Sequence, residues 1–171
     1  MHPLVQCLKQ FRQVGGGAAC LSWIAVCTFA QTTATCEAPK TLEASQGGRA
    51  PAEIHNFVGA WFARQGRNAC AIAAFESALR ADPQSRDARY NLGLALEQDG
   101  QLQRAATELL VLVRDAPGLA RGHLALGFVY EDLRNLASAE SELRTALQLA
   151  PASSAAMHHL GAVLSSQRRY T

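Results

Sequence analysis

The amino-acid sequence predicts an all-α protein built from stacked helix pairs, and two observations lead to that prediction. The 171 residues are 49% hydrophobic but only 6% aromatic, a balance that favours helix over strand. A glycine preceded by Val or Leu recurs every 34 residues, and a proline recurs at the same interval. The formal net charge is +2, which gives no electrostatic support for nucleic-acid binding.

The first 30 residues predict an export signal. Lys9 and Arg12 precede the uncharged stretch 14–30, and Thr28 and Ala30 are small residues at the −3 and −1 positions of a cleavage site. This stretch contains three glycines and is shorter than the roughly 20 apolar residues that span a membrane. We therefore expect a periplasmic or secreted protein. Two alternatives remain open: the stretch is an uncleaved membrane anchor, or it is neither a signal peptide nor an anchor.

Residues 31–51 predict a flexible linker, because they contain two prolines and a Gly-Gly pair without periodicity. Two cysteines would remain after removal of the leader, Cys36 and Cys70. In an oxidising compartment they can form a disulfide. The alternative is that Cys70 is a small apolar residue of a helix and Cys36 is unpaired.

The repeat begins at Ala52 and divides the chain into segments 52–85, 86–119 and 120–153 and a partial segment 154–171. In-phase residues of the same type are expected to form the packing contacts between helices. Position 8 is glycine, position 20 is alanine and position 32 is proline: Gly59, Gly93, Gly127, Gly161; Ala71, Ala105, Ala139; Pro83, Pro117, Pro151. The glycines allow close helix approach, and the prolines end the second helix of each segment.

This pattern resembles the tetratricopeptide repeat (TPR) family in its period, its Leu-Gly pair, its bulky residue at position 24 and its proline at position 32. The resemblance implies a right-handed α-solenoid of antiparallel helix pairs, with three full repeats and a half repeat after the signal-like segment. Helices are expected near residues 53–65, 69–81, 87–99, 103–115, 121–133, 137–149 and 155–168. Gly66 and Gly100 provide positive φ at the turns, and in the third repeat Asn135 is the expected residue.

The last helix is expected to bury Met157, Leu160, Val163 and Leu164. It either caps the array or belongs to a longer one. We expect no enzyme, cofactor or metal site, because the sequence has no nucleophile-elbow, phosphate-loop or zinc-protease motif, and its histidines are not spaced to share an ion.

The resemblance implies that the first helices of the repeats form a concave, partner-binding groove. The groove is expected to have an apolar centre and an acidic rim, and Asp87 belongs to that rim. The other residues expected in the groove are Tyr90, Asn91, Leu94, Glu97, Arg121, Leu124, Phe128, Glu131 and Asp132. The alternative is that Leu124 and Phe128 only pack against a neighbouring repeat. Some members grip a terminal carboxylate, but Asn56 and Ala125 stand here where basic residues are expected, so that clamp is not carried over.

The predicted function is therefore a non-catalytic module that binds a protein or peptide with basic and apolar residues. We expect it to serve as an exported scaffold or assembly factor. Alternatives are a membrane-tethered assembly factor, an accessory region of a chain with a catalytic domain beyond residue 171, and self-association through the last repeat.

Overall fold

The computed structural model of the chain describes Cys36, Ala38 and residues 48–168, except the side chain of residue 168. The predicted leader (1–30) and most of the predicted linker (31–51) lie outside these residues. The described part is helical and contains no strand. Its helices are α1 (Pro51–Arg64), α2 (Asn68–Ala81), α3 (Arg86–Gln98), α4 (Leu102–Asp115), α5 (Ala120–Asp132), α6 (Leu136–Leu149) and α7 (Ser154–Arg168).

Neighbouring helices pack against each other in chain order, and the first helices α1, α3, α5 and α7 also contact one another in order. This arrangement confirms the predicted α-solenoid of helix pairs. Each boundary agrees with the sequence-based expectation to within two residues. No helix in the described part of the chain has the length and hydrophobicity needed to cross a membrane.

The second helix of each repeat ends two residues before a proline, at Ala81, Asp115 and Leu149. The residue between the helix end and the proline is non-helical, with φ near −140° at Asp82, Ala116 and Ala150. A proline sterically disfavours helical geometry in the residue before it. The in-phase prolines therefore fix the length of every second helix.

The turn inside each repeat contains one residue with positive φ, at the same repeat position. Gly66 has φ 68°, Gly100 has φ 76° and Arg134 has φ 59°. The expectation that Asn135 takes this role is wrong, because the 34-residue register places Arg134 in the left-handed conformation. Asn135 instead caps α6, and its side-chain oxygen accepts a hydrogen bond from the Ser138 backbone N–H at 3.3 Å.

The glycine at position 8 of each full repeat lies against the bulky side chain at position 24. A Cβ added to Gly59 would lie 2.6 Å from the Phe75 ring, and a Cβ added to Gly93 would lie 2.7 Å from Leu109. The same addition to Gly127 would lie 2.8 Å from Leu143. Such distances are too short for real carbon contacts, so each glycine allows the two helices of its repeat to approach closely.

The interior of the array consists mainly of aliphatic residues and alanines from both helices of each repeat, together with Phe62 and Phe75. The three position-20 alanines are fully buried, as are the position-24 residues Leu109 and Leu143. A second buried group, formed by Ala139, Leu143 and Val163, joins α6 to α7.

The last helix differs from expectation at two places. Met157, expected to be buried, is 50% exposed, whereas Ala156 and Val163 are fully buried. Gly161 has no neighbour within 4 Å of an added Cβ. The open space at Gly161 has a direct cause: within the described residues, no second helix packs against this side of α7.

The two glycine environments generate a matched prediction. Gly93→Ala should lower the free energy of unfolding by about 1–3 kcal/mol, because the fully buried Leu109 cannot move away. Gly161→Ala should raise it by up to about 1 kcal/mol, because the same methyl group enters open space and improves helix propensity. Urea unfolding followed by circular dichroism measures both, and equal effects would contradict the close-contact role of the position-8 glycine.

Candidate functional site

The surface formed by α1, α3, α5 and α7, here called the first-helix face, contains the residues of the predicted groove. On α3, Tyr90, Leu94 and Glu97 follow the spacing i, i+4, i+7 and so lie on one side of the helix. On α5, Leu124, Phe128 and Glu131 have the same spacing. Since α3 and α5 are in contact, the two rows lie side by side.

The apolar centre of the face belongs partly to the core and partly to the surface. Tyr90 and Leu94 pack against the main buried cluster, whereas Leu124 and Phe128 pack against the cluster that contains Leu143 and Val163. All four side chains are partly buried and keep some exposed surface. They pack against neighbouring repeats and leave part of their apolar surface exposed.

Arg121 on α5 is engaged by two groups of α3. Its guanidinium lies 4.8 Å from the centroid of the Tyr90 ring and forms an ion pair with the Asp87 carboxylate. The cation over the aromatic ring and the ion pair both hold Arg121 against the neighbouring repeat. Part of the predicted acidic rim is thus neutralised, because Asp87 already has a cation.

Asn91 on α3 donates a hydrogen bond from Nδ2 to Oδ1 of Asn56 on α1, at 2.9 Å. Asn56 and Asn91 occupy positions that the family's carboxylate clamp uses. Ala125, where that clamp has a basic residue, is 3% exposed and belongs to the core. The clamp is therefore incomplete in geometry as well as in sequence.

Glu97 and Asp132 are like-charged carboxylates on the neighbouring first helices α3 and α5. Burial raises the pKa of the Glu97 carboxyl, and the charge of Asp132 raises it further. Since like charges on α3 and α5 repel each other, a cation placed between them would relieve that repulsion.

Glu131, the third predicted acid, is bonded to a residue outside the predicted set. Its Oε2 lies 2.8 Å from Nδ1 of His159 on α7, and the His159 ring lies 3.9 Å from the Phe128 ring, centroid to centroid. Sequence reasoning did not place His159 among the residues of this face. The signal available was the place of His159 on the fourth first helix, in phase with Asn91 and Ala125.

A cavity of about 460 Å³ lies beside α1 and the connection from α2 to α3. Its lining includes three acidic residues and one amide residue: Glu53, Asp82, Asp87 and Asn56.

Cys36 and Cys70 are both disulfide-bonded; that they pair with each other remains a prediction.

Among the described residues, no group of three or more His, Cys, Asp or Glu side chains has the arrangement to hold a metal ion.

Comparisons with known proteins agree with the observed stack of helix pairs. Family models of the tetratricopeptide repeat match residues 62–120 and 120–153. No curated protein sequence matches the chain.

Several solved structures share the fold. The first TPR of Spaghetti (RPAP3), bound to the HSP90 peptide SRMEEVD, has a TM-score of 0.68 at 19% identity and covers 69% of this chain and 94% of that chain. The second TPR domain of human RPAP3, in complex with the HSP70 peptide SGPTIEEVD, has a TM-score of 0.61 at 17% identity, with coverages of 66% and 97%. The crystal structure of MamA has a TM-score of 0.66 at 21% identity, with coverages of 75% and 73%. At these identities the likeness shows the shared fold.

The raised pKa of Glu97 generates a prediction about stability. A carboxyl whose pKa is raised by folding is less favourable in the folded chain when it is ionised. Glu97→Gln should therefore raise the melting temperature at pH 7.5, and the gain should shrink as the pH falls and Glu97 takes up its proton. Circular-dichroism melts between pH 4 and pH 7.5 measure this change.

Glu140 is the matched control with the opposite sign. Hydrogen bonds from Gln167 and Arg144 lower the pKa of its carboxyl, so the ionised form stabilises the folded chain above the unfolded pKa. Glu140→Gln should lower the melting temperature at pH 7.5, and its effect should vanish at low pH. Shifts of the same sign in both variants would contradict these electrostatic assignments.

Proposed function

Because the chain belongs to the tetratricopeptide repeat family, we propose that it is a non-catalytic interaction module. Its first-helix face binds an extended segment of another protein that carries both basic and apolar residues. The RPAP3 domains, which share this fold, are bound to peptides in their structures. That likeness supports a peptide-binding role for the chain, and its own residues support the choice of peptide.

The observation that supports this proposal most directly is the position of Glu97 and Asp132. These two carboxylates lie on adjacent first helices that also carry partly exposed apolar side chains. Burial raises the pKa of the Glu97 carboxyl, and the charge of Asp132 raises it further. A lysine or arginine of a partner would lower the energy of both carboxylates, and apolar partner residues would cover the exposed surface of Leu94 and Phe128.

The same face is poorly suited to an acidic peptide end. Arg121, the basic residue of the predicted groove, already pairs with Asp87, and Asn91 already donates to Asn56. A terminal carboxylate would have to displace both interactions and would then lie near Glu97 and Asp132. The peptides bound by the RPAP3 domains end in EEVD, so the partner of this chain differs from them in charge.

We also propose that the module acts outside the cytoplasm, as an exported scaffold or assembly factor. The basic, apolar and small-residue order of residues 1–30 supports export. The disulfide-bonded state of Cys36 and Cys70 supports an oxidising compartment. The leader is tested by the mass of the mature chain, which should begin at Gln31 if cleavage follows Ala30.

Charge reversal tests the choice of partner. Two labelled peptides serve as probes for fluorescence anisotropy: one in which Lys and Arg alternate with Leu, and the acidic peptide SRMEEVD. The full chain should bind the basic peptide more tightly, and Glu97→Lys with Asp132→Lys should weaken that binding by about tenfold or more. Glu131 is left unchanged because its bond to His159 also joins two helices.

Glu76→Lys is the control for non-specific attraction between acidic side chains elsewhere on the protein and the basic probe. Glu76 lies on α2 and forms an exposed ion pair with Arg104 on α4, so its loss should cost little stability. A charge reversal there, half the total change of the double variant, should leave affinity for the basic peptide nearly unchanged. Preference for SRMEEVD, or equal weakening by Glu76→Lys, would contradict the proposed face.

Apolar truncation tests whether the centre of the face contacts the partner. Tyr90→Ala combined with Phe128→Ala should abolish binding of the basic peptide while the helix content measured by circular dichroism is retained. Leu110→Ala removes a 45% exposed leucine from α4 and should change neither quantity. Loss of helix content in the double variant would show that both side chains act mainly as core.

A further inference from the structure

In the second and third repeats, the side chain at position 4 bonds to two oxygen atoms, one from a carboxylate and one from a proline carbonyl. None of these residues belongs to the predicted groove. In the second repeat, Arg89 donates from Nη1 to Glu108 Oε2 at 2.7 Å and from Nη2 to the Pro83 carbonyl oxygen at 2.8 Å. Glu108 is at position 23 of the same repeat, and Pro83 is at position 32 of the preceding one. One cation thus joins both helices of its repeat to the repeat before it.

The third repeat has the same contact with histidine in place of arginine. Nδ1 of His123 lies 2.7 Å from Glu142 Oε2, and Nε2 lies 2.9 Å from the Pro117 carbonyl oxygen. Glu142 and Pro117 are the position-23 and position-32 counterparts of Glu108 and Pro83. The His123 residue is 8% exposed, so water has little access to replace either partner.

The two oxygens determine the protonation form that fits this site. A carbonyl oxygen and an ionised carboxylate oxygen only accept hydrogen bonds, and a neutral imidazole has one N–H to donate. Two acceptors at 2.7 and 2.9 Å therefore need an N–H on both ring nitrogens, which only the imidazolium has. Arginine, with the same two partners in the second repeat, is a permanent cation.

We propose that His123 is a proton-dependent link between the second and third repeats. The imidazolium donates to Glu142 and Pro117 together, as Arg89 does to Glu108 and Pro83. Loss of the proton leaves one ring nitrogen facing an oxygen without a hydrogen atom between them. Raising the pH therefore weakens this link.

The titratable surroundings of the ring are consistent with a cation. Glu142 on α6 is in contact with the ring. Tyr130 on α5 also faces Glu142: burial raises the pKa of its hydroxyl, and the negative charge of Glu142 raises it further. The hydroxyl is neutral wherever histidine titrates, so Glu142 supplies the charge that pairs with the imidazolium.

The link matters for the first-helix face because His123 is part of α5. That helix also carries Leu124, Phe128 and Asp132, and the bond from His123 to Pro117 fixes its first turn to the end of the second repeat. A weaker link at high pH would loosen the contact between the α3 and α5 rows. The effect is on stability and is independent of which partner the face binds.

The test compares the full chain with His123→Arg by urea unfolding at pH 5.5 and pH 8.0. The folded-to-unfolded ratio of the unsubstituted chain should fall between these pH values by roughly tenfold more than that of His123→Arg. Protonation favours the folded chain, so the loss occurs on raising the pH, and arginine does not titrate there. An identical pH dependence in the two proteins would overturn the proposal.

His55→Arg is the matched control, because His55 also occupies position 4 but is exposed, and position 23 of its repeat is Ala74. Its pH dependence should equal that of the unsubstituted chain. Nitrogen-15 spectra of His123 in the unsubstituted chain give an independent measurement should His123→Arg fail to fold. Two protonated ring nitrogens at pH 6 would support the proposal, and a neutral tautomer at that pH would overturn it.

Discussion

The close approach of the two helices within each repeat is the constraint on which the rest of the structure depends. It requires the absence of a side chain at Gly59, Gly93 and Gly127, and it places the bulky position-24 side chain of the partner helix directly against each glycine. A glycine within a helix costs about 1 kcal/mol relative to alanine. The buried position-24 side chains offset that cost, since burying a Leu or Phe contributes about 1.5–3 kcal/mol.

This constraint also creates the candidate binding face. Because every repeat has the same internal spacing, the first helices lie next to one another in order, and residues 34 positions apart become neighbours. Asp87 and Arg121 are one such pair, and they neutralise each other. Glu97 and Asp132 are also on adjacent first helices, but they have the same charge. The electrostatic character of the face thus follows from which residues the repeat period brings together.

The sequence predicted the helices, their boundaries and the solenoid, because the 34-residue period and the in-phase glycines and prolines are local signals. It did not predict which polar groups pair across repeats. Arg121 has Asp87 as its partner, Glu131 has His159 and His123 has Glu142, and each pairing depends on side-chain direction. The exposure of Met157 and the positive φ of Arg134 were also missed: the first depends on what covers α7, and the second follows from the register rather than from residue preference.

In the proposed function, the first helices contact the partner and the second helices do not. Nitrogen-15 chemical shifts of the full chain, recorded during titration with the alternating Lys/Arg and Leu peptide, test it most directly. We expect the largest changes in α3 and α5, around Leu94, Glu97 and Phe128, with little change in α2, α4 and α6. Changes concentrated on the second helices, or spread evenly over the array, would contradict it.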